Sequence, residues 1–151
     1  MITAPQIDRL LAAAQRARKK AYAPYSQFSV GAALITAEGR VFSGCNVENA
    51  TFGATLCAER SAVAAMVTAG HRDPLACAVV TGAASPVAPC GICRQVLVEF
   101  APNLALVLAS TDPRGRLTGK TEVELAALLP HAFRLESGGG VGPRKPGRAP
   151  R

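Results

Sequence analysis

Three cysteines carry the first suggestion of chemistry. Cys57 stands at the start of one helical stretch, and Cys90 and Cys93 open another behind Pro89. Exposed N–H groups and the positive end of a helix dipole stabilise thiolates, the form of cysteine that binds metal. Cys90 and Cys93 are three apart and share a helical face. Two helix starts can therefore aim three sulfurs at one Zn²⁺, whereas a closed structural site takes a fourth protein ligand. The position left open suits a water, which a bound zinc turns into a hydroxide source near neutral pH. Glu59 follows Cys57 by two residues, about 200° around an ideal helix, so it reads as a neighbour of the metal and not a ligand. A carboxylate there can take a proton from that water and deliver it to a substrate. Three thiolates leave zinc with a net negative charge, and Arg60, three residues from Cys57, and Arg94, beside Cys93, are placed to offset it.

The elements that must position these residues are legible as periodicities. Ile7, Leu10, Leu11 and Ala14 recur at helical spacing, and Arg16, Arg18, Lys19 and Lys20 suit the negative end of that helix, which predicts a helix from about Pro5 to Lys20. Residues 28–36 and 41–47 flank Glu38-Gly39 and read as a hairpin. A second helix is expected from Thr55 to about Ala69, stopping at Gly70, followed by a buried strand over 75–81. Pro89 can open a helix lasting to about Phe100, residues 104–110 read as another strand, and 123–129 as a short final helix. Strands separated by helices imply a layered α/β architecture with part of the sheet parallel.

The 151 residues are 49% hydrophobic and 18% charged, which suits one globular domain and excludes a disordered or collagen-like polymer. No apolar stretch approaches the roughly 18 residues of a membrane span. The opening residues, with Asp8 ahead of the basic cluster, do not resemble a secretory signal, so a cytoplasmic protein is expected. Five cysteines, an odd number, argue for metal binding or catalysis over a disulfide framework. The net charge of +7 invites a nucleic-acid reading, but four of those charges (Arg144, Lys145, Arg148 and Arg151) lie in the last fifteen residues, leaving +3 for the remainder. The domain is expected over residues 1–136, with 137–151 as a disordered tail, since eight of its fifteen residues are Gly or Pro.

Cys57-Ala58-Glu59 followed by Pro89-Cys90-Gly91-Ile92-Cys93 is similar to the zinc deaminase signature in its three-cysteine form. Together with the segments 25–34, 44–50 and 89–97, it makes the chain resemble the small homotetrameric cytidine deaminases over about residues 5–135. That resemblance implies a three-layer α/β/α sandwich with a five-stranded mixed sheet, and active sites built at subunit contacts. It implies that Cys57, Cys90 and Cys93 hold zinc while Glu59 moves protons to ring nitrogen N3 and to departing ammonia. Phe28 would pack against the pyrimidine, Asn46 and Glu48 would hydrogen-bond the ribose 3′-hydroxyl, and the Ala58 backbone would contact the base. Phe133 matches an aromatic that reaches a neighbouring subunit's pocket. The implied reaction is hydrolysis of cytidine to uridine and ammonia in pyrimidine salvage. Read as alternating positions on a strand, Asn46 and Glu48 would share a face and grip the sugar from one side, and reliance on the 3′-hydroxyl extends the expectation to 2′-deoxycytidine. Two positions depart from the family pattern: Phe52 stands where many relatives have Tyr, and Ala88 where Ser often precedes Pro-Cys.

Other readings of the same residues exist. Cys90 and Cys93 alone suit a redox dithiol or half of a structural zinc site, and it is Cys57-Ala58-Glu59 and Arg60 that move the balance toward catalysis. Cys45 and Cys77 read as small apolar residues, and His71 and His131 as loop residues. Phe28 alone would be a core aromatic, and Asn46 and Glu48 solvated polar groups. The competing functions are deamination of a cytosine-containing antibiotic nucleoside, a nucleic-acid-editing deaminase, and a structural zinc protein. The editing reading would need a basic strip or stacking aromatics, and aromatics are only 5% of the chain.

Overall fold

Alternation with period two divides the inner strands between two faces. In the computed structural model, which describes residues 2–134, Ala33, Ile35, Ala78, Val80, Val107 and Ala109 pack on one side, while Ala32, Leu34, Cys77, Val79, Leu106 and Leu108 pack on the other. The first side is covered by α1 (Ala4–Arg18), which buries Ile7, Leu10, Leu11 and Ala14. Its first turn contains Pro5, and the Gln6 side chain accepts the Thr3 backbone N–H at 2.9 Å. The second side is covered by α2 (Ala58–Thr68) and α3 (Gly91–Phe100) through Ala62, Val63, Met66, Leu97 and Val98. The result is the expected α/β/α sandwich around a five-stranded mixed sheet.

The strands are β1 (Val30–Thr36), β2 (Val41–Cys45), β3 (Pro74–Thr81), β4 (Ala105–Thr111) and β5 (Leu117–Glu124), in spatial order β2-β1-β3-β4-β5. Only β3 and β4 run parallel, joined across α3; the other pairs are antiparallel. Gly39, at φ 77°, closes the β1–β2 hairpin as the Glu38-Gly39 pair predicts. Among the described residues no helix is long and apolar enough to cross a membrane.

Two expectations need correction. Val123 and Glu124 are not helical: they end β5, and the following helix, α4, spans only Leu125–Leu128. β5 itself is mostly exposed and is recruited as an edge by pairing with β4, from Thr111↔Leu117 to Ala105↔Glu124, with no apolar alternation of its own to announce it. The helices α2 and α3 also begin later than expected, so Cys57 and Cys90 are not in first turns but are the N-cap residues. The tail expected over 137–151 lies outside the described residues.

Close approach of α2 to the sheet depends on one glycine. A Cβ at Gly44, on β2, would lie 2.5 Å from the Ala62 nitrogen and 2.8 Å from the Ala58 carbonyl oxygen. The first turn of α2, which carries Glu59, therefore rests directly on the β2 backbone.

Candidate active site

The site lies where β1 begins, β2 and β3 end, and the N-termini of α2 and α3 converge. As N-caps, Cys57 and Cys90 have extended backbone and turn their sulfurs across the mouths of their helices, while Cys93 sits within the first turn of α3. The three sulfurs lie within 4.8 Å of one another, and Cys57 Sγ is 3.9 Å from Cys90 Sγ. That is twice the length of a disulfide bond, and close to the roughly 3.8 Å separating two sulfurs bound at about 2.3 Å on a tetrahedral zinc. Burial, then Glu59 and the other two thiols, push the Cys93 thiol far up. Burial also opposes ionisation of Cys90, but the Cys93 backbone N–H and the neighbouring thiols outweigh it and hold Cys90 below the ordinary thiol range. Three thiols this close ionise together only around a cation. The donor set thus fits zinc in number, type and spacing.

Glu59 is buried at 5% exposure, with its carboxyl beside Cys93. Burial raises its pKa, and its own backbone N–H, Cys93 and Arg60 only partly oppose that rise. A carboxyl group tuned upward beside a cluster of thiols able to hold a metal suits proton transfer. Arg60 is where the sequence places it: Nη2 lies 3.4 Å from Cys57 Sγ and donates to the Thr55 carbonyl at 2.8 Å. Arg94 is different. Its Nε donates to the Pro89 carbonyl and its Nη1 to the Leu128 carbonyl, each at 2.8 Å. It braces the turn before Cys90 against α4.

A cavity of about 280 Å³ opens in front of the cluster. Its wall includes Cys57, Ala58, Glu59 and Cys90 on one side and Phe28, Asn46 and Glu48 on the other, so seven of the expected site residues meet there. Asn46 and Glu48 do so without the expected strand: β2 ends at Cys45, and Val47 between them is held by isolated bridges to Tyr22 and Leu56. The buried Asn46 amide donates to the Phe28 carbonyl at 2.9 Å and accepts the Val30 N–H at 2.8 Å, while Glu48 accepts from Tyr25 and Ser26. The face shared by these two side chains is set by a loop and not by strand alternation.

Phe133 is 68% exposed and does not line this cavity; its carbonyl accepts from Gln95 Nε2 at 2.9 Å. The wall also includes Val79, Val87, Thr55 and Thr81, which the sequence reading did not assign to the site, and Ser26, Val30 and Ala88, which it named only within or beside the family motifs and gave no role. Val79, Val87, Thr55 and Thr81 carry no local pattern that marks them as cavity residues. Cys45, Cys77, His71 and His131 stay outside the thiol cluster, as expected; His71 packs against Phe42 with ring centroids 5.2 Å apart and planes tilted by 44°.

The model of the cytidine and deoxycytidylate deaminase zinc-binding region matches residues 5–109, which contain all three clustered thiols and Glu59. The cytidine deaminase of Sporosarcina psychrophila is 43% identical over 130 residues, 86% of this chain and 93% of that protein. That of Mycobacterium tuberculosis H37Rv is 43% identical over 134 residues, 87% of this chain and 94% of its own length. Among solved structures, cytidine deaminase from Burkholderia pseudomallei superposes with a TM-score of 0.76 at 47% identity, covering 87% of this chain and 100% of that one. Likeness in sequence and in fold thus spans nearly the whole described chain, and the protein belongs to the zinc-binding cytidine deaminase family.

Proposed function

We propose that the protein hydrolyses cytidine and 2′-deoxycytidine to uridine and 2′-deoxyuridine with release of ammonia, in pyrimidine salvage in the cytoplasm. The observation that carries this reading is a nucleoside-sized cavity with a buried, upshifted carboxyl at its floor, directly beside three convergent thiols. Cys57, Cys90 and Cys93 would hold zinc, which when bound supplies Lewis acidity and lowers the pKa of water. Glu59 accepts one proton of the attacking water and passes it to N3 as the C4–O bond forms, then takes the proton of the new C4 hydroxyl and delivers it to the amine as the C4–N bond breaks, so that water and cytidine give uridine and ammonia in balance. Arg60 moderates the charge of Cys57, and Arg94 keeps the Cys90 turn in place. Phe28 packs against the pyrimidine, the Ala58 backbone meets its edge, and Asn46 and Glu48 face the sugar 3′-hydroxyl.

Among the described residues the cavity wall contains no Lys or Arg, the side chains that most often clamp a phosphate. That favours a free nucleoside over a nucleotide or a polynucleotide. The active form is a homotetramer in which the exposed Phe133 closes a neighbour's cavity, and residues 1–136 form the deaminase domain ahead of a separate tail. The test is ultraviolet-monitored turnover of cytidine, 2′-deoxycytidine and cytidine 5′-monophosphate by the purified protein, with its mass in solution measured alongside. Turnover of both nucleosides with little of the monophosphate is expected. No turnover of either nucleoside by zinc-loaded, folded protein would overturn the reading.

A further inference from the structure

Glu48 and Phe28 come from different segments, yet one side chain connects them. Ser26 Oγ accepts the Phe28 backbone N–H at 3.0 Å. Its own hydrogen is donated to Glu48 Oε1, and Glu48 Oε2 accepts the backbone N–H groups of Tyr25 at 2.8 Å and Ser26 at 3.2 Å. Gln27, between Ser26 and Phe28, sits in the left-handed region at φ 57°, a conformation a glutamine adopts only when its surroundings impose it. The Asn46 amide holds the Phe28 carbonyl at 2.9 Å, so both polar atoms of the Phe28 backbone are tied down from the sugar side of the cavity.

We infer that Ser26 is a positioning residue that aims the Glu48 carboxylate at the sugar and fixes the presentation of Phe28 to the base. The inference rests on the reading above that Glu48 faces the sugar hydroxyl. A carboxylate offers about four acceptor positions, two on each oxygen. Oε2 is filled by two backbone donors, and Ser26 takes one position on Oε1, which leaves one position for a sugar hydroxyl. Because Ser26 Oγ already accepts from Phe28, its single hydrogen has only the carboxylate to serve, and the chain of donors runs in one direction. The same hydrogen bond is the largest influence holding the Glu48 carboxyl below its ordinary range, which keeps it an acceptor.

The experiment compares wild type, Ser26→Ala and Ser26→Thr on cytidine and 3′-deoxycytidine. Loss of one hydrogen bond to a charged group is worth roughly tenfold. Ser26→Ala is therefore expected to raise KM for cytidine about tenfold with kcat changed less than about threefold, the pattern of lost uniform binding. It should also shrink the preference of kcat/KM for cytidine over 3′-deoxycytidine by about the same factor, since a carboxylate that is no longer aimed gains less from the hydroxyl. Ser26→Thr, which keeps the donor, should restore both values. A folded Ser26→Ala protein with unchanged KM and unchanged preference would overturn the assignment while leaving the reaction intact. Should Ser26→Ala misfold, loss of the preference in Ser26→Thr would overturn it. A wild type that turns over cytidine without any preference for the 3′-hydroxyl would instead refute the sugar reading of Glu48, and this inference with it.

Discussion

The two faces of the sheet share the same strands and differ in what they bury. Beneath α1 the buried layer is built from Ile7, Leu10, Ala14, Ile35, Val80 and Val107, with no buried ionisable side chain among the described residues. Beneath α2 and α3 lie Leu34, Met66, Leu97 and Leu106, but that side also buries Glu59, Cys77 and Cys93. Strand alternation lets β3 present Ala78 and Val80 to one layer and Cys77 and Val79 to the other. The α1 face can therefore maximise burial, while the opposite face bears the cost of ionisable groups held out of water. Stability and activity should separate by face, and substitutions can break or sharpen that division.

The largest effect belongs to the site face. Cys93→Ala removes the buried member of the thiol cluster and should abolish zinc binding and turnover together, read by metal analysis and the cytidine assay; full metal content would refute its role as a ligand. Gly44→Ala comes next, because the added methyl drives the first turn of α2 off β2. A displacement of about 1 Å can cost on the order of 10²-fold in rate, so kcat/KM should fall by about that factor in protein that still folds. Leu10→Ala probes the other face. Truncating a fully buried leucine costs about 2–5 kcal/mol, seen as a lower denaturation midpoint, while kcat of the folded fraction should stay within about twofold of wild type. A comparable loss of kcat would show that the faces are not independent.

The smallest effect is at the β4–β5 turn, whose Gly115 carbonyl accepts from Gln15 Nε2 of α1. Asp112 accepts the Arg116 backbone N–H and guanidinium, each at 2.8 Å, and these bonds hold its carboxyl below the ordinary aspartate range. A pKa depressed on folding adds stability above the unfolded value, about 3.9, which is lost as pH falls through the folded value. Asp112→Asn should therefore lower the melting temperature slightly at neutral pH, and the gap should close in acid. A gap that persists below the folded pKa would assign the effect to something other than this charge.

The same contrast explains what was legible in the sequence. Both helical faces declare themselves through apolar spacing, and the metal cluster through Cys57-Ala58-Glu59 and the Cys90/Cys93 pair, because these patterns are local. β5 does not, since an exposed edge strand such as Leu-Thr-Gly-Lys-Thr-Glu-Val-Glu needs only the β4 backbone beside it. The loop that brings Asn46, Glu48, Ser26 and Phe28 together has no periodicity of its own, and Phe28, Asn46 and Glu48 are legible only through the family resemblance of segments 25–34 and 44–50. It depends on a left-handed Gln27 and on hydrogen bonds between segments some twenty residues apart, and neither leaves a periodic trace. Adjacency to Cys93 in sequence suggests that Arg94 sits beside sulfur, but its hydrogen-bond partners are the carbonyls of Pro89 and Leu128.

The division of the molecule into a stabilising face and a reactive one stands or falls on Glu59. The most direct measurement takes Glu59→Gln, isosteric and unable to carry the proton, and determines zinc content, melting temperature and cytidine turnover on one preparation. Zinc at wild-type stoichiometry, a melting temperature no lower than wild type, and a rate reduced by at least the roughly 10²- to 10⁴-fold of general acid–base catalysis are predicted. Near-normal turnover in the zinc-loaded variant would contradict the account.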